Sequence, residues 1–107
     1  MLGRTMGTDC FYEGQARLDG AICEYTEADK FEFLNAAHAV GVRNMEMEAP
    51  LFAALTHRLG IRAACVCVSL IDRLKGDQHY SSEEDMASYD ERPGDIVLKY
   101  IKEQLTA

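Results

Sequence analysis

The segment that decides the fold spans residues 41–71 and reads GVRNMEMEAPLFAALTHRLGIRAACVCVSLI. It starts with a strand-like stretch, continues into a helix and ends in an almost unbroken apolar run at residues 61–71. Leu51, Leu55 and Leu59 recur every fourth residue, which lays an apolar stripe along one face of the helix. The segment therefore predicts a βαβ unit with buried parallel strands and a right-handed crossover.

The sequence before this segment predicts one more strand and one more helix. Residues 2–8 are strand-like, and they precede a loop. Thr26 and Asp29 have the spacing of a capping pair at a helix start. Phe33 lies on the expected buried face of that helix, and Gly41 is expected to end it.

The sequence after this segment predicts a short acidic turn and a final helix. Ser81 or Ser82 is placed to cap the turn, and Pro93 is placed to open the helix. Residues 1–107 as a whole are thus expected to form an α/β structure with a βαβ core and flanking helices.

Charge and hydropathy exclude several classes of function. The 107 residues carry 11 Lys and Arg against 18 Asp and Glu, which gives a formal net charge of −7. A protein that binds nucleic acid needs a basic face, so we expect no nucleic-acid partner. The start of the chain has no apolar signal region, and no stretch is long and apolar enough to span a membrane. We expect a cytosolic protein without a membrane partner.

The four cysteines do not have the spacing of a metal site. Cys10, Cys23, Cys65 and Cys67 form no Cys-x-x-Cys pair, and the three histidines are far apart in sequence. We therefore expect no metal and predict buried free thiols, with two of them packed in the apolar run at residues 61–71.

Polar residues follow each predicted strand. They lie at residues 11–17, 46–48 and 72–73. Ligands of an open parallel sheet bind at the carboxyl ends of its strands. These three clusters are therefore expected to share one edge of the sheet and to form the binding site.

Gln15 and Arg17 are the first candidate pair. An extended loop would direct both side chains to the same side. An amide and a guanidinium together can read a planar imide, such as the edge of a pyrimidine. The alternative is an ordinary surface loop with two solvated side chains.

Glu46 and Glu48 are the second candidate pair, at the turn from strand to helix. An ionised carboxylate there could accept hydrogen bonds from the vicinal hydroxyls of a sugar, with Met47 packed against the apolar sugar face. The alternative is that the acidic side chains only complement the helix dipole.

These motifs resemble those of the animal-type uridine phosphorylases, in the nucleoside phosphorylase and nucleosidase superfamily. The loop FYEGQAR at residues 11–17 is particular to the uridine branch, whereas the turn EME at residues 46–48 is shared across the superfamily. The other similar stretches follow in family order at residues 5–6, 18–20, 41–45, 66–68, 72–74, 76–78 and 89–93.

The resemblance implies part of a three-layer α/β/α sandwich and a pentosyltransferase reaction of pyrimidine salvage. Uridine and phosphate would give uracil and ribose 1-phosphate, with phosphate as co-substrate and no cofactor. Arg17 and Glu48 would be the catalytic residues. The resemblance implies that Gln15 and Arg17 recognise uracil, with Phe11 packed against its ring and Arg73 supporting the pair. The ribose would be bound by Glu46, Met47 and Glu48. The base pocket would be lined by Leu70 and Ile71.

The resemblance covers only the carboxyl-terminal portion of the family's catalytic domain. Family members form the phosphate site in a preceding region and are homo-oligomers, so the 107 residues alone are expected to be inactive. Two alternatives stay open. One is a noncatalytic nucleoside-binding or partner-binding module. The other is a purine phosphorylase or nucleosidase, which would use an Asp near the position of Asp72 to protonate the base.

Overall fold

Two parallel strands and three long helices make up the fold. A computed structural model describes residues 1–106 of the chain. In chain order, the described elements are β1 (Arg4–Gly7), a turn of 3₁₀-helix (Glu13–Gln15), α1 (Glu27–Ala39), β2 (Val42–Glu46), α2 (Ala49–Arg58) and α3 (Glu83–Thr106). β1 and β2 pair in parallel, with Gly7 opposite Glu46, so both strands end at the same edge. The first predicted strand is confirmed.

Helix α1 begins and ends where the sequence predicts. The hydroxyl of Thr26 accepts a hydrogen bond from the N–H of Asp29 at 3.3 Å, and the Asp29 carboxylate accepts one from the N–H of Thr26 at 2.8 Å. Gly41 follows the helix with a φ of +95°, which a residue with a side chain rarely adopts. The predicted buried face is wrong: Phe33 is 38% exposed, and Lys30 is buried instead.

The predicted strand at residues 61–71 is wrong. Within the described residues, this segment belongs to no strand, so the helix between the paired strands is α1 and not α2. A strand requires hydrogen bonds from a neighbouring strand, and the described sheet contains only β1 and β2. Val66 is 39% exposed, so the run is not covered on both faces.

The expectation of buried thiols is also wrong. All four cysteines are free, and Cys23, Cys65 and Cys67 are exposed, whereas Cys10 is half-buried. The two cysteines of the apolar run are exposed because no described layer covers that run.

The carboxyl-terminal region forms one helix instead of a turn followed by a helix. Ser82 caps it, since its hydroxyl accepts a hydrogen bond from the N–H of Asp85 at 3.1 Å. Pro93 therefore lies inside α3 and does not open a helix. No helix within residues 1–106 is both long enough and apolar enough to cross a membrane.

The described structure is open and has a small apolar core. Ala16 and Leu34 are the apolar residues that are buried within residues 1–106. The chain exposes 8555 Å², whereas a compact monomer of this size exposes roughly 6,000 Å². Its radius of gyration is 16.2 Å, against about 13 Å for a compact chain. Large apolar faces of α2 and α3 are thus in contact with solvent.

Candidate active site

One cavity of about 770 Å³ runs along the whole of β2 and is also lined by the loop after β1, the start of α2 and residues 67–74. The structure brings together all the residues that the sequence predicts for the site. They are Phe11, Gln15, Arg17, Glu46, Met47, Glu48, Leu70, Ile71 and Arg73, and Asp72 also lines the cavity. The polar cluster after residues 61–71 reaches this cavity even though that segment is not a strand.

Gln15 is held next to the end of the sheet. Its side chain is buried, and its amide donates a hydrogen bond to the hydroxyl of Thr8 at 3.2 Å. The N–H of Thr8 donates in turn to the carbonyl of Glu46 at 2.9 Å, which continues the pairing of β1 with β2. The first candidate pair is thus tied to the strand that carries the second.

Arg17 is only 3% exposed. It donates two hydrogen bonds to Asp19, from Nε at 2.8 Å and from Nη2 at 2.6 Å. The guanidinium carbon lies 4.2 Å from the ring centroid of Phe11, in the geometry of a cation–π contact. The hydrogen bond from Arg17 lowers the pKa of Asp19 below its ordinary value of 3.8, so the pair is ionised at neutral pH. Nη1 is the guanidinium nitrogen that this pairing does not use.

Arg73 fixes the main chain between Gln15 and Arg17. Its Nη2 donates to the carbonyl oxygen of Gln15 at 2.7 Å and to that of Ala16 at 3.1 Å. Ala16 has a φ of +52°, in the left-handed region that a residue with a side chain rarely adopts. The guanidinium thereby stabilises an unusual loop conformation.

Asp77 joins three segments of the chain. One carboxylate oxygen accepts hydrogen bonds from Lys30 at 2.8 Å and from Arg73 at 3.0 Å, and the other accepts one from the N–H of Leu18 at 2.9 Å. Burial raises the pKa of Asp77, but the hydrogen bonds from Lys30, Leu18 and Arg73 outweigh it, so the pKa lies below 3.8. The carboxylate is therefore negatively charged at neutral pH.

Sequence reasoning did not find Lys30 and Asp77 as parts of this arrangement. The stretch at residues 76–78 carried only a resemblance, with no role. A lysine four residues before the apolar Leu34, on the same helix face, is the one local signal that could have indicated a buried charge.

Glu46 and Glu48 have different environments. Oε2 of Glu46 accepts hydrogen bonds from the N–H groups of Glu48 at 2.8 Å and Ala49 at 2.6 Å, so it caps the start of α2. Oε1 of Glu46 is buried without a hydrogen-bond partner in the part of the chain that the structure describes. Glu48 is exposed and accepts a hydrogen bond from the N–H of Met47 at 3.3 Å. Both carboxylates lie at the start of α2, where they complement the helix dipole, and Oε1 of Glu46 is the oxygen that the helix start leaves without a donor.

The remaining lining is apolar apart from Asp72. Met47 and Leu70 are each 37% exposed, and Ile71 is half-buried. Asp72 is exposed and pairs with Lys75 at 3.0 Å, and this hydrogen bond lowers the pKa of Asp72 below 3.8. Residues 1–106 hold no group of three or more His, Cys, Asp or Glu side chains placed to bind a metal ion.

The chain is similar to known proteins over nearly its whole length. Residues 2–102 match the phosphorylase superfamily. The chain is 51% identical over 105 residues to uridine phosphorylase 1 of Mus musculus, which covers 98% of this chain and 34% of the mouse protein.

Two solved structures resemble the chain over nearly its whole length. A uridine phosphorylase of the oomycete Phytophthora capsici is 52% identical, with a TM-score of 0.91 over 97% of this chain and 35% of its own. The Schistosoma mansoni uridine phosphorylase in complex with uracil is 40% identical, with a TM-score of 0.90 over 94% of this chain and 36% of its own. The chain spans about a third of the length of the curated relatives that it matches.

Proposed function

The chain belongs to the phosphorylase superfamily, and from that premise we propose that its cavity binds the uracil and ribose of uridine for phosphorolysis to uracil and ribose 1-phosphate. One observation carries the proposal. The imide-reading pair Gln15 and Arg17 lines the same cavity of about 770 Å³ as the carboxylates of Glu46 and Glu48. Uridine is a base and a sugar joined by one bond. A site that binds it therefore needs groups that recognise the base and groups that bind the sugar in one cavity.

The base half of the site supplies hydrogen-bond donors. Cleavage of the glycosidic bond leaves negative charge on the departing uracil, so donors directed at its carbonyl oxygens lower the barrier. Arg17 carries a fixed positive charge, and Nη1 is available for such an oxygen. The Phe11 ring, 4.2 Å from the guanidinium carbon, offers an apolar surface for the flat face of the base.

The sugar half of the site supplies acceptors. Breaking the bond leaves positive, oxocarbenium-like character on the ribose, which nearby carboxylates stabilise. Glu48 is exposed and lines the cavity, where its carboxylate can accept hydrogen bonds from the ribose hydroxyls, and the buried Oε1 of Glu46 lacks a donor within residues 1–106. Met47 would pack against the apolar face of the sugar. No side chain has to form a covalent intermediate.

The state of Asp72 disfavours the purine alternative. A residue that protonates a purine in the transition state works best with a pKa near the operating pH. Lys75 instead lowers the pKa of Asp72, which keeps its carboxylate ionised. The pair of Gln15 and Arg17 suits a pyrimidine edge, and a relative of this chain was solved with uracil bound.

We propose further that phosphorolysis requires polypeptide beyond the aligned third of the family. The relatives are about three times as long as this chain. The exposed surface of 8555 Å² exceeds that of a compact monomer by roughly 2,500 Å², which is more than each partner contributes to a standard interface. The additional polypeptide would cover this exposed surface. It would also supply the phosphate-binding residues and the subunit contacts of a homo-oligomer.

Calorimetry with nucleosides tests the proposal. Uridine is expected to bind the 107-residue chain at least tenfold more tightly than inosine. Equal or tighter binding of inosine would support the purine alternative instead. In a parallel assay with uridine and phosphate, the same chain is expected to release no uracil, and turnover would contradict the requirement for further polypeptide. The noncatalytic alternative is supported if a fusion of this chain with the remaining two thirds of a relative, the part that the chain does not align with, also shows no turnover.

A further inference from the structure

Asp77 does not line the cavity, yet it accepts hydrogen bonds from Arg73, which contacts the base-reading loop, and from the N–H of Leu18, which directly follows that loop. We infer that Asp77 is a positioning residue for base recognition, because it holds Gln15 and Arg17 in place without touching the substrate. This inference rests on the proposed function, since it assumes that these two residues read the base.

The first connection runs through Arg73. Asp77 accepts a hydrogen bond from Nε of Arg73 at 3.0 Å, which orients the guanidinium. Nη2 of the same guanidinium donates to the carbonyl oxygens of Gln15 and Ala16. These two carbonyls belong to the peptide groups on either side of Ala16, which link it to Gln15 and to Arg17. Fixing both peptide planes fixes the directions in which the side chains at positions 15 and 17 leave the main chain.

The second connection is direct. Oδ2 of Asp77 accepts a hydrogen bond from the N–H of Leu18 at 2.9 Å. Leu18 immediately follows Arg17, so the loop is held on both sides of the residue that reads the base. The side chain of Asp77 is only 8% exposed, and hydrogen bonds to a buried carboxylate are stronger than those to neutral acceptors.

Lys30 secures the carboxylate to α1. The ammonium group is 4% exposed and lies 2.8 Å from Oδ1 of Asp77. Removing one member of a buried charged network leaves its partners without compensation, which displaces them. Loss of the Asp77 charge would therefore release the loop from α1 and leave the Arg73 guanidinium without the contact that orients it.

The ribose residues provide an internal reference. Glu46, Met47 and Glu48 lie on β2 and at the start of α2. The side chains of Glu46 and Glu48 accept hydrogen bonds from main-chain groups of residues 47–49, and Asp77 contributes none of these bonds. A positioning role for Asp77 therefore predicts a selective defect, in which binding of the base weakens and recognition of the sugar does not. A general loosening of the fold would weaken both.

The experiment measures both halves of the site in the 107-residue chain. Asp77→Asn is expected to weaken uracil binding about tenfold, the scale of losing one charged hydrogen bond. The ratio of the affinities for uridine and 2′-deoxyuridine, which reports contacts to the ribose 2′-hydroxyl, is expected to stay within twofold of wild type. Asp90→Asn removes an exposed aspartate of α3 that does not line the cavity and is the matched control, with uracil affinity expected to change less than twofold.

Unchanged uracil affinity in Asp77→Asn would overturn the inference. An equal fold-change in uracil affinity and in the ratio of the uridine and 2′-deoxyuridine affinities would also overturn it. If far-UV circular dichroism shows that Asp77→Asn does not fold, Lys30→Met replaces it. Lys30→Met keeps the contacts of Asp77 with Arg73 and Leu18, so it is expected to show a smaller selective loss of uracil affinity. No selective loss in Lys30→Met would then overturn the inference.

Amide resonances separate this inference from the proposed function. In the ¹H–¹⁵N spectrum of the ligand-free chain, Asp77→Asn is expected to shift or broaden the amides of residues 15–18 and to leave those of residues 46–48 in place. If the wild-type chain fails to bind uracil, the proposed function fails. The spectrum then still decides whether Asp77 holds the loop, because unmoved amides at residues 15–18 would overturn that role.

Discussion

The guanidinium of Arg73 donates a hydrogen bond to the main-chain oxygen of Gln15 at 2.7 Å, although the two residues are 58 positions apart in the chain. The bond connects the segment after the apolar run to the loop after β1. The two halves of the cavity wall are therefore held together by polar contacts, in a structure whose buried apolar residues within residues 1–106 are Ala16 and Leu34. The geometry of the site depends on these contacts more than on a hydrophobic core.

Arg17→Ala tests base recognition. The substitution removes the buried guanidinium that faces Phe11 and pairs with Asp19. Loss of a charged hydrogen bond to the ligand is worth roughly 1.5–3 kcal/mol, so we expect uridine affinity to fall about tenfold or more in calorimetry. Arg92→Ala, which removes an arginine that lies over Tyr89 in α3, is the control and should bind as wild type does. Equal affinity in the two variants would contradict a role for Arg17.

Substitutions of Glu46 and Glu48 should separate stability from binding. Glu46 accepts two main-chain hydrogen bonds at the start of α2, so Glu46→Ala should lower the free energy of unfolding by about 1 kcal/mol, as loss of a helix cap does. Glu48→Ala should leave the urea midpoint nearly unchanged, because Glu48 is exposed. It should weaken uridine binding several-fold. A large loss of stability with unchanged binding in Glu48→Ala would reverse the roles assigned here.

Stability should fall in acid in a way that depends on Asp77. The folded-state pKa of Asp77 lies below the ordinary 3.8, so its contribution to stability is fully present well above pH 3.8 and is lost as the pH falls through the folded-state value. In urea titrations, wild type should therefore be more stable than Asp77→Asn at neutral pH. This difference should shrink below about pH 4. A difference that grows in acid would contradict the sign of the shift.

Two glycine substitutions should have opposite effects on stability. Gly41 has a φ of +95°, so Gly41→Ala should cost about 1–2 kcal/mol of the free energy of unfolding. Gly94 lies inside α3 with no atom within 4 Å of an added methyl group, so Gly94→Ala should stabilise the helix by about 0.5–1 kcal/mol. Thermal unfolding followed by circular dichroism measures both. Equal effects would show that the turn after α1 does not require glycine.

Local patterns predicted the parts of the structure that local forces determine. The capping pair of Thr26 and Asp29, the turn at Gly41 and the cap at Ser82 depend on neighbours within a few residues. The polar clusters after each apolar stretch also pointed to one edge, and the cavity contains them. The resemblance added their roles, which the geometry permits.

Long-range pairing could not be predicted from the same patterns. An apolar run at residues 61–71 indicates burial but not which partner provides it, and the described sheet offers no third position. Lys30 resembles a solvated lysine in sequence, and only the approach of Asp77, 47 positions later, explains its burial.

Pro93 disfavours a helix interior locally, yet α3 continues through it.

Amide chemical-shift changes on addition of uridine to the 107-residue chain test whether the base and sugar residues form one binding site. We expect uridine to shift the amides of residues 11–17, 46–48 and 70–73 together, with a single binding constant. Shifts confined to the smaller groove between α2 and the following segment, lined by Phe52, His57 and Cys65, would contradict it. So would the absence of any shift at millimolar uridine in a chain whose circular dichroism shows the expected helices.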